Sequence, residues 1–211
     1  MYKLGVPCSQ CPRGTKCMKN EFYGLCEATG PAGPLEDDLA AEDGVTSLLS
    51  CNFNSFSGRP NDCDVTTNGP FVTHAPFAIG SHTEVVLRSG QQARLTFQKQ
   101  VPSENPICVV VHYDIGPAEF GKTSLGKMLL IVRGKNYEAE GSFGDPNDDG
   151  LRKFFYNVDT LGIVKKLELS FAFSVPAGSA ETFFDLYGVQ VIADTCYDYY
   201  QKNHVRARAR A

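Results

Sequence analysis

The architecture of this chain follows from one run of residues: Ile107 to Tyr113 reads Ile-Cys-Val-Val-Val-His-Tyr. A continuous apolar run of this kind is typical of a central strand that is buried on both faces. Because no helical period is sustained elsewhere, the sequence predicts an all-β fold, an antiparallel β-sandwich. Residues 154–156 begin a further strand or cover one end of the core. The other predicted strands, separated by clusters of Gly, Pro, Asn and Asp, are 84–88, 93–97, 127–133, 167–173 and 184–192.

Composition excludes several classes of protein. The chain has 211 residues and a formal net charge of −4, so the chain as a whole is not attracted to nucleic acid. No run of 18 apolar residues occurs, which excludes a membrane-spanning helix. The first residues lead to Cys8 without the apolar stretch of an export signal. We therefore expect a mature form or a fragment of a longer protein.

Eight cysteines indicate an oxidising, extracellular compartment. The first four are close enough to bind zinc or to form two disulfides, and the extracellular context favours a small disulfide-rich knot. For the last four, three pairings are open. We propose Cys51–Cys63 and Cys108–Cys196, because the second bond would tie the central strand to the end of the domain. The two groups are Cys8, Cys11, Cys17 and Cys26, then Cys51, Cys63, Cys108 and Cys196.

Changes in composition divide the chain into four parts. A cysteine-rich knot (1–27) is followed by an acidic Gly/Pro linker (28–50), for which a short acidic helix is the alternative. The β-sandwich covers 51–196, and a Tyr/Arg-rich tail covers 197–211. An Arg-Ala alternation cannot build a core, so we expect the tail to fray. The alternative role for the tail is an anchor for acidic polysaccharide or membrane lipid.

The first 26 residues resemble the cysteine-rich segment that follows the main domain in cysteine-rich secretory and venom-allergen-like proteins of the CAP superfamily. The resemblance implies a secreted protein with a larger domain upstream, whose catalytic-type cleft has no counterpart in this sequence. The matching residues are the run from Tyr2 to Cys17, with its pattern P-C-x-x-C-P-x-G-x-x-C, and Gly24-Leu25-Cys26.

Residues 51–196 resemble the MAM domain of meprins, neuropilins and receptor tyrosine phosphatases. The resemblance implies a divergent, jelly-roll-like sandwich that serves adhesion or protein recognition without catalysis. The matching features are Cys51-x-Phe53, the early Cys63, residues 87–95 ahead of a strand, Cys108 in a strand, residues 126–132, and residues 187–192 ahead of Cys196.

The sequence offers one candidate metal site and no catalytic motif. Asp145, Asn147 and Asp149 present oxygen ligands at alternate positions, a spacing that suits calcium. A β-turn is the alternative, because Asp, Asn, Pro and Gly all favour turns. Among the four histidines, His112 fits a buried sheet position, and His74 and His82 could meet across a hairpin, although nothing in the sequence requires it. No nucleophile elbow or zinc-protease motif occurs, so we expect a non-enzymatic protein that requires no cofactor, with calcium as the candidate ligand.

The sequence therefore predicts a secreted recognition or adhesion module that binds an extracellular protein or glycan. Self-association is compatible with this class of protein. The alternatives are an accessory region that targets or stabilises a larger secreted enzyme or CAP-type protein, and direct carbohydrate binding aided by calcium. Candidate contact residues are aromatic side chains near the Cys51–Cys63 loop, for which core packing is the other interpretation: Phe53, Phe56, Phe71 and Phe77.

Overall fold

The structure is a computed structural model of the whole chain. It describes residues 15–19, 24–28, 46–53, 63–74, 82–102, 106–119, 121–146, 152–158 and 165–199. Within these ranges no helix is long and apolar enough to cross a membrane. The strands are β1 (Thr15–Lys19), β2 (Gly24–Ala28), β3 (Ser47–Asn52), β4 (Val65–Asn68), β5 (Phe71–His74), β6 (His82–Leu87), β7 (Gln92–Phe97), β8 (Val101–Pro102), β9 (Ile107–Pro117), β10 (Lys127–Gly134), β11 (Tyr137–Phe143), β12 (Arg152–Val158), β13 (Lys166–Ser174) and β14 (Thr182–Ile192).

Two antiparallel six-stranded sheets form the sandwich. In the first sheet the order is β11-β10-β13-β7-β4, with β8 paired to β13. In the second sheet the order is β12-β9-β14-β6-β5, with β3 paired to β14. Consecutive strands often lie in different sheets, so the chain crosses repeatedly between the two layers. A separate two-stranded ladder joins β1 and β2, with Cys17 opposite Cys26 in the backbone register.

The core lies between the two sheets and is formed by alternate residues of each strand. In the second sheet, Phe184 of β14 is the direct partner of Val85 on one side and of Ile115 on the other. All three are buried. Phe173 of the first sheet meets Phe184 edge to face, with ring centroids 5.5 Å apart. Because side chains alternate between faces along a strand, every residue next to these in sequence points away from the core.

The predicted all-β antiparallel sandwich is confirmed, and each predicted strand lies within a strand of the structure or overlaps one. The run 107–113 is part of β9, which is buried over nearly its whole length. Residues 154–156 lie in β12, as one of the two interpretations held. The sequence analysis missed the other strands of the sandwich, which are β3, β4, β5, β8 and β11, and it missed the β1–β2 ladder. In β4 and β11 exposed residues weaken the apolar pattern.

Both predicted boundaries of the sandwich differ from the structure. Strand β3 begins at Ser47, so four residues assigned to the linker belong to the second sheet. The start of the predicted tail is packed: residues 196–199 form a helical turn in which Thr195 Oγ1 accepts a hydrogen bond from Asp198 N at 3.1 Å. Tyr199 is buried there because its ring covers a small apolar cluster beside the core, formed by Cys108, Val110, Ile192 and Cys196.

Two disulfides hold the second sheet. Cys51 bonds to Cys63 and Cys108 bonds to Cys196, which are the two pairs that the sequence analysis proposed. The second bond joins the first residues of β9 to the helical turn after β14 and closes 88 residues of sequence. Cys108 and Ile192 are direct partners in the sheet, so the bond reinforces a contact that the ladder already makes.

We predict that the double substitution Cys108→Ala, Cys196→Ala lowers the free energy of unfolding by about 3–5 kcal/mol, because it frees a long loop in the unfolded chain. Chemical denaturation monitored by circular dichroism measures the change. The matched control is Cys51→Ala, Cys63→Ala, which opens a separation of only 12 residues and should cost about 2 kcal/mol less. Equal losses in both variants would contradict the dependence on loop length.

Candidate functional site

Three acidic side chains form a row across the outer face of the second sheet. Asp185 of β14 is the direct partner of Glu84 on β6 and of Asp114 on β9. Each follows or precedes a core residue, so alternation turns all three away from the core and onto the same face. Like charges directly opposite each other destabilise a sheet. This acidic row (Glu84, Asp185 and Asp114) therefore calls for an explanation other than stability.

Asp185 is the most unusual member of the acidic row. Its side chain is only 7% exposed, and its Oδ1 atom is buried without a hydrogen-bond partner. Burial, followed by the negative charges of Glu84 and Asp114, raises the pKa of Asp185 to about 8. A carboxyl group in such surroundings carries a proton at neutral pH unless a cation offsets its charge.

His82 adds a nitrogen ligand to the acidic row. It lies two residues before Glu84 on β6 and therefore on the same face of the sheet. One potential ligand atom from each of His82, Glu84 and Asp185 lies within 4.8 Å of the other two. The imidazole of His82 packs against the ring of Tyr187, with centroids 5.0 Å apart and planes tilted by 37°. His82 and Glu84 are both half-buried, so the cluster opens to solvent on the β6 side.

A β-bulge lies directly beside this cluster. The pairing of β14 with β9 shifts between Leu186 and Gly188, which leaves Tyr187 as an extra residue in β14. The carbonyl of Tyr187 accepts a hydrogen bond from Phe53 N at 3.3 Å. Bulges re-aim side chains and increase local twist, and they are frequent beside functional sites. Here the bulge turns the Tyr187 ring toward the imidazole of His82.

The candidate calcium site lies apart from the acidic row. Asp145 is exposed just after β11. Asn147 and Asp149 lie outside the described residues, so calcium binding at 145–149 stays a prediction. The first cysteine group also lies largely outside the described residues. Whether those cysteines bind zinc or form two disulfides therefore stays a prediction as well.

The structure describes three of the histidines that the sequence analysis singled out. His74 and His82 are direct partners across the β5–β6 hairpin, as the sequence analysis suggested. His112 is buried in β9.

Two of the four aromatic contact candidates serve core packing. Phe53 is buried, and Phe71 packs edge to face on Phe173, with ring centroids 5.6 Å apart. Phe56 and Phe77 lie outside the described residues.

The sequence analysis missed the acidic row. Its members stand in three separate strands, and only the sheet register brings them together. A signal was present nonetheless. Asp185 lies between Phe184 and Leu186 in the sequence, and Asp114 lies between Tyr113 and Ile115. Each is therefore an isolated acidic residue inside an apolar run. Such a residue in a buried strand carries a desolvation cost and marks a candidate site.

Comparisons with known proteins point to venom-allergen relatives. The chain is 29% identical over 210 residues to a CRISP/Allergen/PR-1 protein of Trittame loki, a match covering 93% of this chain and 47% of that protein. It is 23% identical to Venom allergen 5 of Tityus serrulatus, with the same two coverages. This chain thus spans about half the length of these relatives. No protein-family model matches the sequence, and the predicted MAM likeness is not among these findings.

Solved structures resemble this chain only at a distance. One is the xylan-binding domain of Paenibacillus barcinonensis Xyn10C, with 14% identity and a TM-score of 0.44. The match covers 74% of this chain and all of that domain. The relationship therefore rests on sequence similarity. The chain is similar to CRISP and venom-allergen proteins, as the resemblance of its first 26 residues predicted.

We predict that Asp185→Asn stabilises the metal-free protein most at high pH. The pKa of Asp185 lies above its unfolded value near 4, so the stability that is complete below about pH 4 is lost as pH rises toward 8. Asparagine resembles the neutral carboxyl group and carries no such penalty. We expect a gain of about 2–5 kcal/mol at pH 9 and little change at pH 4.

Urea denaturation in the presence of a chelator measures this difference at both pH values. Glu140→Gln is the matched control, because Glu140 is exposed on β11 of the first sheet. It removes one negative charge without touching the acidic row. A gain for Asp185→Asn that is the same at pH 4 and pH 9 would show that the carboxyl group is not desolvated.

Proposed function

We propose that this chain is a non-enzymatic recognition module of a secreted protein, which binds an extracellular protein or glycan through the outer face of the second sheet. The observation that carries the proposal is the acidic row itself. Three carboxyl groups on adjacent central strands, one of them buried, form a costly arrangement that the fold does not need. Proteins keep such costs mainly at functional sites.

The side chains on this face indicate which chemical groups a ligand would present to it. Glu84 and Asp114 are half-buried, so each keeps part of its carboxyl group in reach of a bound molecule. Carboxylates accept hydrogen bonds, and the matching donors are sugar hydroxyl groups or the cationic side chains of a protein. Val72, the sheet partner of Glu84, adds an exposed apolar contact at the edge of the row.

Recognition fits this face better than catalysis does. A catalytic acid must come within hydrogen-bond distance of the reacting atom. Asp185 has a raised pKa of about 8, and its side chain is only 7% exposed. This burial leaves little of its carboxyl group within reach of a substrate bond.

An extracellular role within a longer protein is the second part of the proposal. The two disulfides of the sandwich require oxidising conditions to form. The similarity to venom-allergen proteins over about half their length supports a module joined to a further domain. In such a protein this chain would direct the rest of the molecule to its target. A distant kinship with MAM domains and calcium binding at 145–149 belong to the same proposal.

We predict that retention on the cognate ligand falls at least tenfold in Glu84→Gln and in Asp114→Asn. Each substitution removes a charged acceptor from the face while conserving its shape, and a charge-assisted hydrogen bond contributes about 1.5–3 kcal/mol. Arrays of immobilised neutral and acidic glycans, together with a panel of extracellular matrix proteins, identify the ligand. Surface plasmon resonance then gives the affinity of each variant.

Glu140→Gln on the first sheet serves as the control for loss of charge, and its affinity should stay within twofold of the unmodified protein. Equal losses of affinity in all three variants would show that binding depends on the net charge of the protein and not on this face. Retention by none of the arrays and panels would refute the recognition function, and unchanged affinity in Glu84→Gln and Asp114→Asn would move the binding site away from this face.

A further inference from the structure

We propose that His82, Glu84 and Asp185 form a binding site for a divalent transition-metal ion of the zinc type. These residues offer one imidazole nitrogen and two carboxylate oxygens, and the three ligand atoms lie within 4.8 Å of one another. A second observation points into the same site: the Asp185 side chain is 7% exposed and its Oδ1 atom is buried without a hydrogen-bond partner. The proposal shares Glu84 and Asp185 with the recognition function but does not rest on it, since it concerns the metal alone.

The geometry of the sheet brings these ligands together. Glu84 and Asp185 are direct partners on neighbouring strands, which places their Cβ atoms about 5 Å apart. His82 lies one pleat further along β6, where the ring of the bulged Tyr187 supports its imidazole. Metal–ligand bonds of about 2.0–2.2 Å require ligand atoms about 3.4 Å apart in a tetrahedral site. His82 and Glu84 are half-buried and can make this small closing movement by changes in side-chain torsion.

The set of donor atoms selects the kind of metal. Calcium and magnesium prefer oxygen ligands alone, whereas an imidazole with carboxylates suits zinc and neighbouring transition metals. Three protein ligands leave the fourth position of a tetrahedral zinc ion for water or for an atom of a bound partner. This position would lie on the solvent side, because Asp185 is buried and the two other ligands are partly exposed.

The metal would also explain why the acidic row is tolerated. A divalent cation bound by one neutral imidazole and two carboxylates has no net charge, and the remaining negative charge of Asp114 lies directly across from Asp185. Asp114 Oδ1 accepts a hydrogen bond from Ile115 N at 2.8 Å, so one of its carboxyl oxygens is already engaged. Asp114 would then stabilise the cation from a neighbouring position without being a ligand.

Isothermal titration calorimetry of the full chain with Zn²⁺ alone tests the proposal. The protein is first treated with chelator and shown by thiol titration to hold no reduced cysteine, so that thiolates cannot bind the metal. We expect one Zn²⁺ per chain, at least tenfold weaker binding in His82→Gln and in Glu84→Gln, and binding of Ca²⁺ at least a hundredfold weaker than that of Zn²⁺. Both substitutions are at half-exposed positions, and circular dichroism verifies their folding.

His204→Gln is the matched control, because it removes a histidine of the tail and should leave the Zn²⁺ affinity within twofold. Loss of binding in His204→Gln but not in His82→Gln would show adventitious binding by the tail and overturn the proposal. So would Ca²⁺ binding equal to Zn²⁺, or an absence of Zn²⁺ binding. Because no protein or glycan ligand is present, a failed titration leaves the recognition function to its own test.

Discussion

The pairing of β14 on both of its sides is the constraint on which the rest of the second sheet depends. Its first half lies between β9 and β6, and its second half lies between β9 and β3. A strand so placed has its backbone hydrogen bonds satisfied on both sides, and one of its faces lies in the core of the sandwich. Phe184 therefore enters the sandwich core, while the Cys108–Cys196 disulfide and Tyr199 cover the opposite face at the far end. The acidic row lies on the part of that face without such a cover.

The acidic row sets two demands of the fold against each other. Register requires Glu84, Asp185 and Asp114 to be neighbours, and burial makes a charge on Asp185 expensive. A proton on Asp185 relieves this conflict, and so does a cation held by the same residues. The two states differ in charge, and the face would therefore present a different surface to a partner in each. The recognition function and the metal site that we propose draw on this one arrangement.

Strand positions could be read from the sequence, whereas the site could not. The apolar run 107–113 and the alternation of 167–173 report burial, which is a local property of each strand. Strand β4 was missed because it is largely exposed, and β11 was missed because it buries too few apolar residues to show a pattern. The acidic row depends on register and on the bulge at Tyr187, which are set by tertiary pairing. The pairing of His74 with His82 could be raised as one option from the sequence, because a hairpin is local.

The Cys108–Cys196 end of the sheet has a consequence for attached domains. Ser47 and Cys108 are both partners of Ile192, so the chain enters β3 and leaves β14 at one end of the second sheet. Asp114 lies six residues further along β9, or about 20 Å away. A tether at either connection would therefore begin about 20 Å from the row formed by Glu84, Asp185 and Asp114, at the opposite end of the sheet from this acidic surface.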